Sequence, residues 1–456
     1  MSETTPWGRR AFLTILAGEA VSALGSGLSV FGVGIWLYQK TGSVTQFSLL
    51  SLCMILPSIL LSPFAGVFVD RLDRRRIMIF ANLAQCLIML SMAPLIITGH
   101  LEAGYIYTAA FCVSTLGMTN ILAFNAVITR LLSGQDLGRA AGLMQTATAA
   151  AGILSPLIAG VLLTIGGLRV IVVIDSATFL FALVALLLVK IPAPDAQADT
   201  ASPSEEPPRH SFSIKGTTYG WTYVFARRGL LGLLVFSAVL NLAIGLSGVT
   251  LTPLLLSICS AKAVGTIAAF GAFGMLIGSI GMGVWGGPKR RVHGVLGFGL
   301  LLGIGFVVTG LQISPIVIAL ASFAIQLFAP ITFSSNQAIW LSKTPSDVQG
   351  RVFAVRTMVQ SCSLPIAYLA GGPLGDRIFK PLLVAGGPLA NTVGRVVGVG
   401  PARGIGLMFI VVGLAMLVAS FAGYLYSPLR HIDDRLPDMT TSPAMIPVEM
   451  AVASAD

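Results

Sequence analysis

The sequence predicts an all-α, polytopic membrane protein with twelve transmembrane helices in two pseudo-symmetric six-helix bundles, and three observations carry that prediction. The first is composition: 55% of the 456 residues are hydrophobic and only 10% charged, with a mean hydropathy of +0.88, whereas soluble domains are about a quarter charged. The second is run length. A helix needs about 20 apolar residues to cross about 30 Å of hydrocarbon, and runs of that length recur along the whole chain. The third is an internal repeat, the mark of transporters built from two parallel bundles. Ala20-Val21, Leu24 and Gly27-Leu28-Ser29 return about 218 residues later as Ala238-Val239, Leu242 and Gly245-Leu246-Ser247. Asn125, Gly138-Arg139 and Ala159-Gly160 return about 211 to 212 residues later as Asn336, Gly350-Arg351 and Ala370-Gly371.

In order, span 1 is expected at residues 11–37 and span 2 at 47–69, joined by the turn Gln39-Lys40-Thr41-Gly42-Ser43. Gly66-Val-Phe-Val-Asp70-Arg71-Leu-Asp73-Arg74-Arg75-Arg76 then forms a tight basic hairpin before span 3 at 77–98. Spans 4, 5 and 6 follow at 103–124, 140–165 and 168–189. From 192 to 209 the chain turns to Pro, Ala, Asp, Ser and Glu, too polar to bury and too proline-rich for a helix, so it reads as a linker. Residues 212–228 mix Trp221, Tyr223 and Phe225 with Lys215, Arg227 and Arg228, as in an amphipathic segment on the membrane surface. Spans 7 to 12 are expected at 230–258, 264–285, 292–311, 315–341, 350–373 and 405–425. The domains are therefore 1–190, a linker with its amphipathic segment at 191–228, 229–427, and a tail at 428–456. Trp and Tyr, Trp340 among them, lie near run ends, where amphipathic rings favour the headgroup zone.

Orientation follows from arginine. Cytoplasmic loops carry the excess of Lys and Arg, and the hairpin places four arginines in positions 71–76. Counted from it, 20 of the 28 Lys and Arg residues fall on the cytoplasmic side, seven fall outside, and Arg356 lies within a span. Both termini are then cytoplasmic in a plasma (inner) membrane protein, and the Gly-rich stretch 376–404 is an outer loop. The net charge of +10 sits in these short turns rather than on one face, which argues against nucleic acid. Gly8-Arg9-Arg10 imitates a twin-arginine signal, but the apolar run behind it is too long and too many spans follow.

The hairpin resembles the signature between spans 2 and 3 of the major facilitator superfamily, with Gly66, Asp70, Arg71, Arg74, Arg75 and Arg76 matching. Asp73, standing where many members have glycine, looks like the branch of macrolide-efflux and enterobactin-exporter-like transporters. The resemblance implies that Asp70 docks on the start of span 11, near Ser346-Asp347, and latches the halves together on the cytoplasmic side. In the second half, Gly287 stands where that acid would be. Span 5 resembles the antiporter motif of the superfamily at Gly142, Pro156 and Gly160, with Ala or Ser at the other glycine positions. Small residues let helices approach closely and proline loosens the helix ladder, which suits a rocking surface.

A charge at the bilayer centre costs about 2.5 to 3.5 kcal/mol or more, so Glu19, Asp175 and Arg356 need partners or water. Glu19 is in span 1, which the resemblance implies lines the central cavity, and is either a proton-exchange or cation-attracting site or half of an ion pair with Arg356. Asp175, in span 6, is expected to pair or cap near the outer face. Asn120, Asn125, Gln145, Asn241, Gln326, Asn336 and Gln360 are polar groups expected toward the cavity. Few charges among apolar walls suit an amphipathic small-molecule substrate. The function expected is secondary active, proton-coupled export by a monomer in the bilayer, with no cofactor; a nutrient importer is the alternative of the same fold.

A membrane-embedded enzyme is disfavoured, because His100, His210, His293 and His431 all fall in loops or tails and no catalytic constellation appears. A nucleotide-driven pump is disfavoured by the lack of a Gly-x-x-x-x-Gly-Lys-Ser/Thr loop. Cys53, Cys86, Cys112, Cys259 and Cys362 fit no metal or disulfide spacing.

Overall fold

A computed structural model of the chain describes residues 6–61, 73–132, 134–189, 214–311, 314–345 and 348–435. Among these residues there is helix and turn but no strand. Among the described residues, eleven helices are long and apolar enough to cross a membrane. The twelfth segment, span 2, is described over Val44–Leu60 and stops where the described residues do. Span 1 is Pro6–Thr41, span 3 Arg74–Ile97, span 4 Ala103–Leu131, span 5 Gly134–Ile165 and span 6 Gly167–Leu188. Spans 7 to 12 are Arg228–Leu256, Ala261–Trp285, Arg291–Leu311, Pro315–Lys343, Gln349–Pro373 and Pro401–Leu425. Side chains such as Val284, Leu188 and Ile165 are 86%, 76% and 76% exposed. In lipid such faces are the ordinary outer surface of a bundle.

Local chemistry sets the helix ends. Ser43 accepts from the Gln46 N–H at the start of span 2, Ser260 from the Ala263 N–H at the start of span 8, and Asp73 from the Arg75 N–H at the start of span 3. Each satisfies a donor that the first helical turn leaves unpaired. Span 8 stops at Gly286, whose left-handed φ of 76° favours glycine.

The packing displays the repeat directly. Span 1 packs on spans 5 and 6, span 2 on span 4, and span 3 on spans 4 and 6. Six spans later, span 7 packs on 11 and 12, span 8 on 10, and span 9 on 10 and 12. The halves meet chiefly through span 5 on span 8 and span 11 on span 2, a pair of contacts related by the same repeat.

Two ends of the molecule are distinguished below: the hairpin end, carrying Arg74, Arg227 and Arg290, and the turn end, carrying Gly42, Gly99 and Ser257. At the turn end the halves touch backbone to backbone. A Cβ on Gly265 of span 8 would lie 2.3 Å from the Pro156 carbonyl oxygen of span 5, and one on Gly160 would lie 2.9 Å from that of Ala261. Along span 5, Ala151, Ser155, Ala159 and Gly160 are buried, whereas Gly142 and Gln145, toward the hairpin end, are exposed.

Three expectations need correction. Span 11 does not stop before an outer loop at 376. It runs on through a π-helical turn, Leu374–Phe379, into Lys380–Leu382, and the stretch beyond folds onto a small core of Leu383, Val397 and Leu407. Trp340 is not an interface residue: it is fully buried, packed in the core of the second half beneath the Arg356 guanidinium. Residues 212–228 form the helix Ile214–Ala226, which docks on span 11 with Tyr223 and Val224 buried, rather than resting on lipid alone. The linker 192–209 lies outside the described residues. Just past span 12, Asp433 caps the start of span 9 by accepting from the Val292 N–H at 3.0 Å, and its backbone oxygen accepts from Lys343.

Candidate functional site

Glu19 lies in span 1, where the neighbouring Gly18 is packed against Ala182 and Ala185 of span 6. The Glu19 Oε2 accepts from Asn120 Nδ2 at 2.9 Å, and the Asn82 amide of span 3 also reaches it. Both partners are neutral. Asn82 and Asn120 each retain a buried amide oxygen without a partner. An ionised Glu19 thus keeps an N–H donor without belonging to an ion pair.

Glu19 lines a cavity of about 180 Å³ with Ala23, Phe124 and Met144. A second cavity of about 400 Å³ adjoins it and reaches toward the turn end. Ser26, Gln85, Gly117 and Ile121 line both. Both chambers belong to the first half.

The Glu19–Arg356 ion pair is not formed. Arg356 donates to Gln337 of the neighbouring span 10, and its guanidinium lies 5.7 Å from the Trp340 ring and 6.0 Å from that of Phe353. The desolvated cation is held inside the second half by an amide and two π faces, with its Nε left without a partner. Asp175 likewise has no basic partner within ion-pair distance among the described residues; Thr178 donates to its Oδ1 at 3.4 Å. The expected pairing near the outer face is replaced by a position on the wall of the larger chamber.

Of the remaining polar positions, Asn336 is buried and ties span 10 to span 7 by donating to Ser237 Oγ at 2.6 Å. Asn241 donates to the Ser237 carbonyl at 2.8 Å, one turn back in its own helix. Asn336 thus holds two helices together, while Asn241 bonds within its own. Asn125 and Gln145 are exposed, and Gln326 and Gln360 half-buried. None of these four lines either chamber. Asn82 and Gln85 were missed by the sequence reading, although their spacing of three places both on one face of span 3.

The halves are clamped at the turn end by Asp376. Its carboxylate accepts from Ser43 Oγ at 2.7 Å, the Val44 N–H at 3.1 Å, and the N–H and Oγ1 of Thr45, both at 2.8 Å. These donors are the first turn of span 2, the positive end of a helix dipole. Lys380, one turn on, reaches Asp376 at 2.7 Å and the Gly42 carbonyl at 3.0 Å. At the hairpin end, Gly66, Asp70, Arg71 and Ser346-Asp347 lie outside the described residues. Arg74 donates to the Ala126 carbonyl, Arg75 to that of Leu187, and Arg76 faces Asp73 at 3.6 Å.

The duplicated six-span plan, with its two inter-half contacts, is decided by comparison. The family description Major Facilitator Superfamily matches residues 15–368. This chain is a member of that superfamily. It is 26% identical to Macrolide efflux protein A of Streptococcus pyogenes over 379 residues, covering 80% of this chain and 90% of that one. It is 24% identical to the multidrug efflux pump Tap of Mycobacterium tuberculosis (strain ATCC 25618 / H37Rv), covering 80% and 87%. Among solved structures, a bacterial homolog to the human lysosomal transporter Spinster matches with a TM-score of 0.71 at 14% identity, covering 96% of this chain and all of that one. Family and fold are those of a multi-pass membrane transporter of small molecules rather than an enzyme.

Proposed function

We propose that the chain is a proton-coupled exporter of amphipathic small molecules, acting as a monomer in the bacterial plasma membrane with both termini in the cytoplasm. The observation that carries the reading is Glu19: a carboxyl group beside a cavity, held only by neutral amides, takes up and releases a proton without breaking an ion pair. Its position on span 1, next to spans 3 and 4, lets that proton alter how the helices of the first half pack. The excess of Lys and Arg at the hairpin end supports placing that end in the cytoplasm. The turn end then faces outside and is shut by Asp376. The names of the efflux relatives support the outward direction. The backbone contact of Pro156 and Gly160 with span 8 supports span 5 as the rocking surface.

The test is accumulation of a fluorescent amphipath in cells expressing the protein. Collapse of the proton gradient should raise accumulation. Glu19→Gln should remove at least ten-fold of the gradient-dependent efflux at equal membrane insertion. A fall in accumulation on collapse would instead mark an importer, and full efflux by Glu19→Gln would take this residue out of the coupling.

A further inference from the structure

Asp175 is fully buried, on span 6, and is not in an ion pair among the described residues. Its Oδ1 has Thr178, but its Oδ2 has no hydrogen-bond partner. The Ser29 hydroxyl, itself without another partner, faces the carboxylate from span 1. Gly25 makes room for this arrangement, because a Cβ there would come within 2.8 Å of Asp175 Oδ1. A buried carboxylate oxygen left unpaired is costly, and an opposite charge relieves that cost.

The surroundings say what kind of charge fits. Asp175 lines the 400 Å³ chamber, whose wall carries four methionines, Met54, Met89, Met92 and Met118, from spans 2, 3 and 4. Thioethers on unbranched stems adapt to irregular apolar and aromatic shapes, as they do at promiscuous binding surfaces. The volume lies in the 300 to 1,000 Å³ range of ordinary ligand pockets, and an apolar lining with one or two placed polar groups is their usual make-up. A hydrated metal ion would find a single carboxylate among mostly apolar walls; among the described residues no cluster of His, Cys, Asp or Glu could hold a metal. Val30 and Ile121, 51% and 53% exposed, stand at the rim and mark the way in.

We infer that this chamber binds a lipophilic organic monocation, with Asp175 as its counter-charge and the methionines holding its apolar body. The inference rests on the transport reading and deepens it by naming the substrate class. It also separates two tasks, with the proton on Glu19 in the smaller chamber and the cation on Asp175 in the larger one.

Equilibrium binding to the purified full-length protein, with no gradient present, tests this independently of direction and coupling. The probes are tetraphenylphosphonium and, as an uncharged relative, triphenylphosphine oxide. Asp175→Asn should weaken tetraphenylphosphonium binding at least ten-fold and leave triphenylphosphine oxide within two-fold. Equal affinity of wild type and Asp175→Asn for the cation, or no saturable binding by wild type, would overturn the inference. Should Asp175→Asn fail to fold, Met118→Trp, which fills the chamber from its wall, decides: loss of both probes is expected, and unchanged affinity overturns. Failure of the export assay with these binding results intact would count against the direction or coupling alone.

Discussion

The turn end and the hairpin end are built from the same two helices used in opposite directions. At the turn end, the C-terminal end of span 11 sends Asp376 onto the N-terminal turn of span 2. At the hairpin end, the latch that the family resemblance implies would set Asp70, which follows span 2 in sequence, against the start of span 11. Each acid is followed by arginine, Asp376-Arg377 and Asp70-Arg71. Inverted three-helix repeats nested within each half make spans 2 and 11 equivalent in this reversed sense. The difference is that at the turn end Asp376 is engaged and, in the other seam between the halves, Gly160 and Gly265 are in backbone contact, while span 5 is exposed around Gly142. A transporter that closes one end at a time needs latches of similar strength and mutual exclusion. A carboxylate on a helix N-terminus supplies about 0.3 to 2 kcal/mol, strong enough to hold and weak enough to release.

The largest effect on this comparison should come from wedging the closed end apart. Gly265→Leu puts a side chain into the Pro156 carbonyl, where even a Cβ lies at 2.3 Å. It should reduce transport more than ten-fold at near-normal insertion, measured as efflux per inserted molecule. Normal efflux by this variant would mean that spans 5 and 8 need not close.

Much of this architecture could be read before the structure was in hand. Span limits follow from apolar run length, because lipid fixes how many residues a crossing needs, and the arginines of the hairpin follow from the same physics. What composition cannot show is which helices meet. Asp376 reads as a loop residue because proline and glycines precede it, yet the π-helical turn carries the helix past Pro373 and aims the acid at span 2. Trp340 reads as an interface residue from its place near a run end, but Arg356 behind it draws it inward. Asp175 reads as peripheral because its span is, whereas its register turns it toward Ser29 and the chamber. Asn336 reads as a cavity group and is a staple, since a polar residue in a span has the same sequence signature in either role.

The smallest effect is expected at Gly287, the place where the second half lacks the hairpin acid. Its φ is +86°, a left-handed conformation that accepts aspartate only at some cost, and a Cβ there would meet the flexible Met282 end at 2.6 Å. Gly287→Asp should lower thermal stability by about 1 kcal/mol, read as a modest fall in Tm, and change transport less than two-fold. A transport change as large as that of Gly265→Leu would show that the second half has a latch of its own.

The central claim, that closure passes between the two ends through the reciprocal latches of spans 2 and 11, is most directly tested by two spectroscopic distances in the same protein. With the five native cysteines replaced, one label pair at Gln39 and Ile378 reports the turn end, and another at Leu60 and Ala354 reports the hairpin end. Asp376→Asn should lengthen the first distance and shorten the second, moving the ratio of states about ten-fold, which corresponds to about 1.4 kcal/mol. Asp70→Asn should move both the other way. Distributions that stay unchanged in Asp376→Asn, or a turn-end distance that lengthens while the hairpin end stays put, would contradict the account.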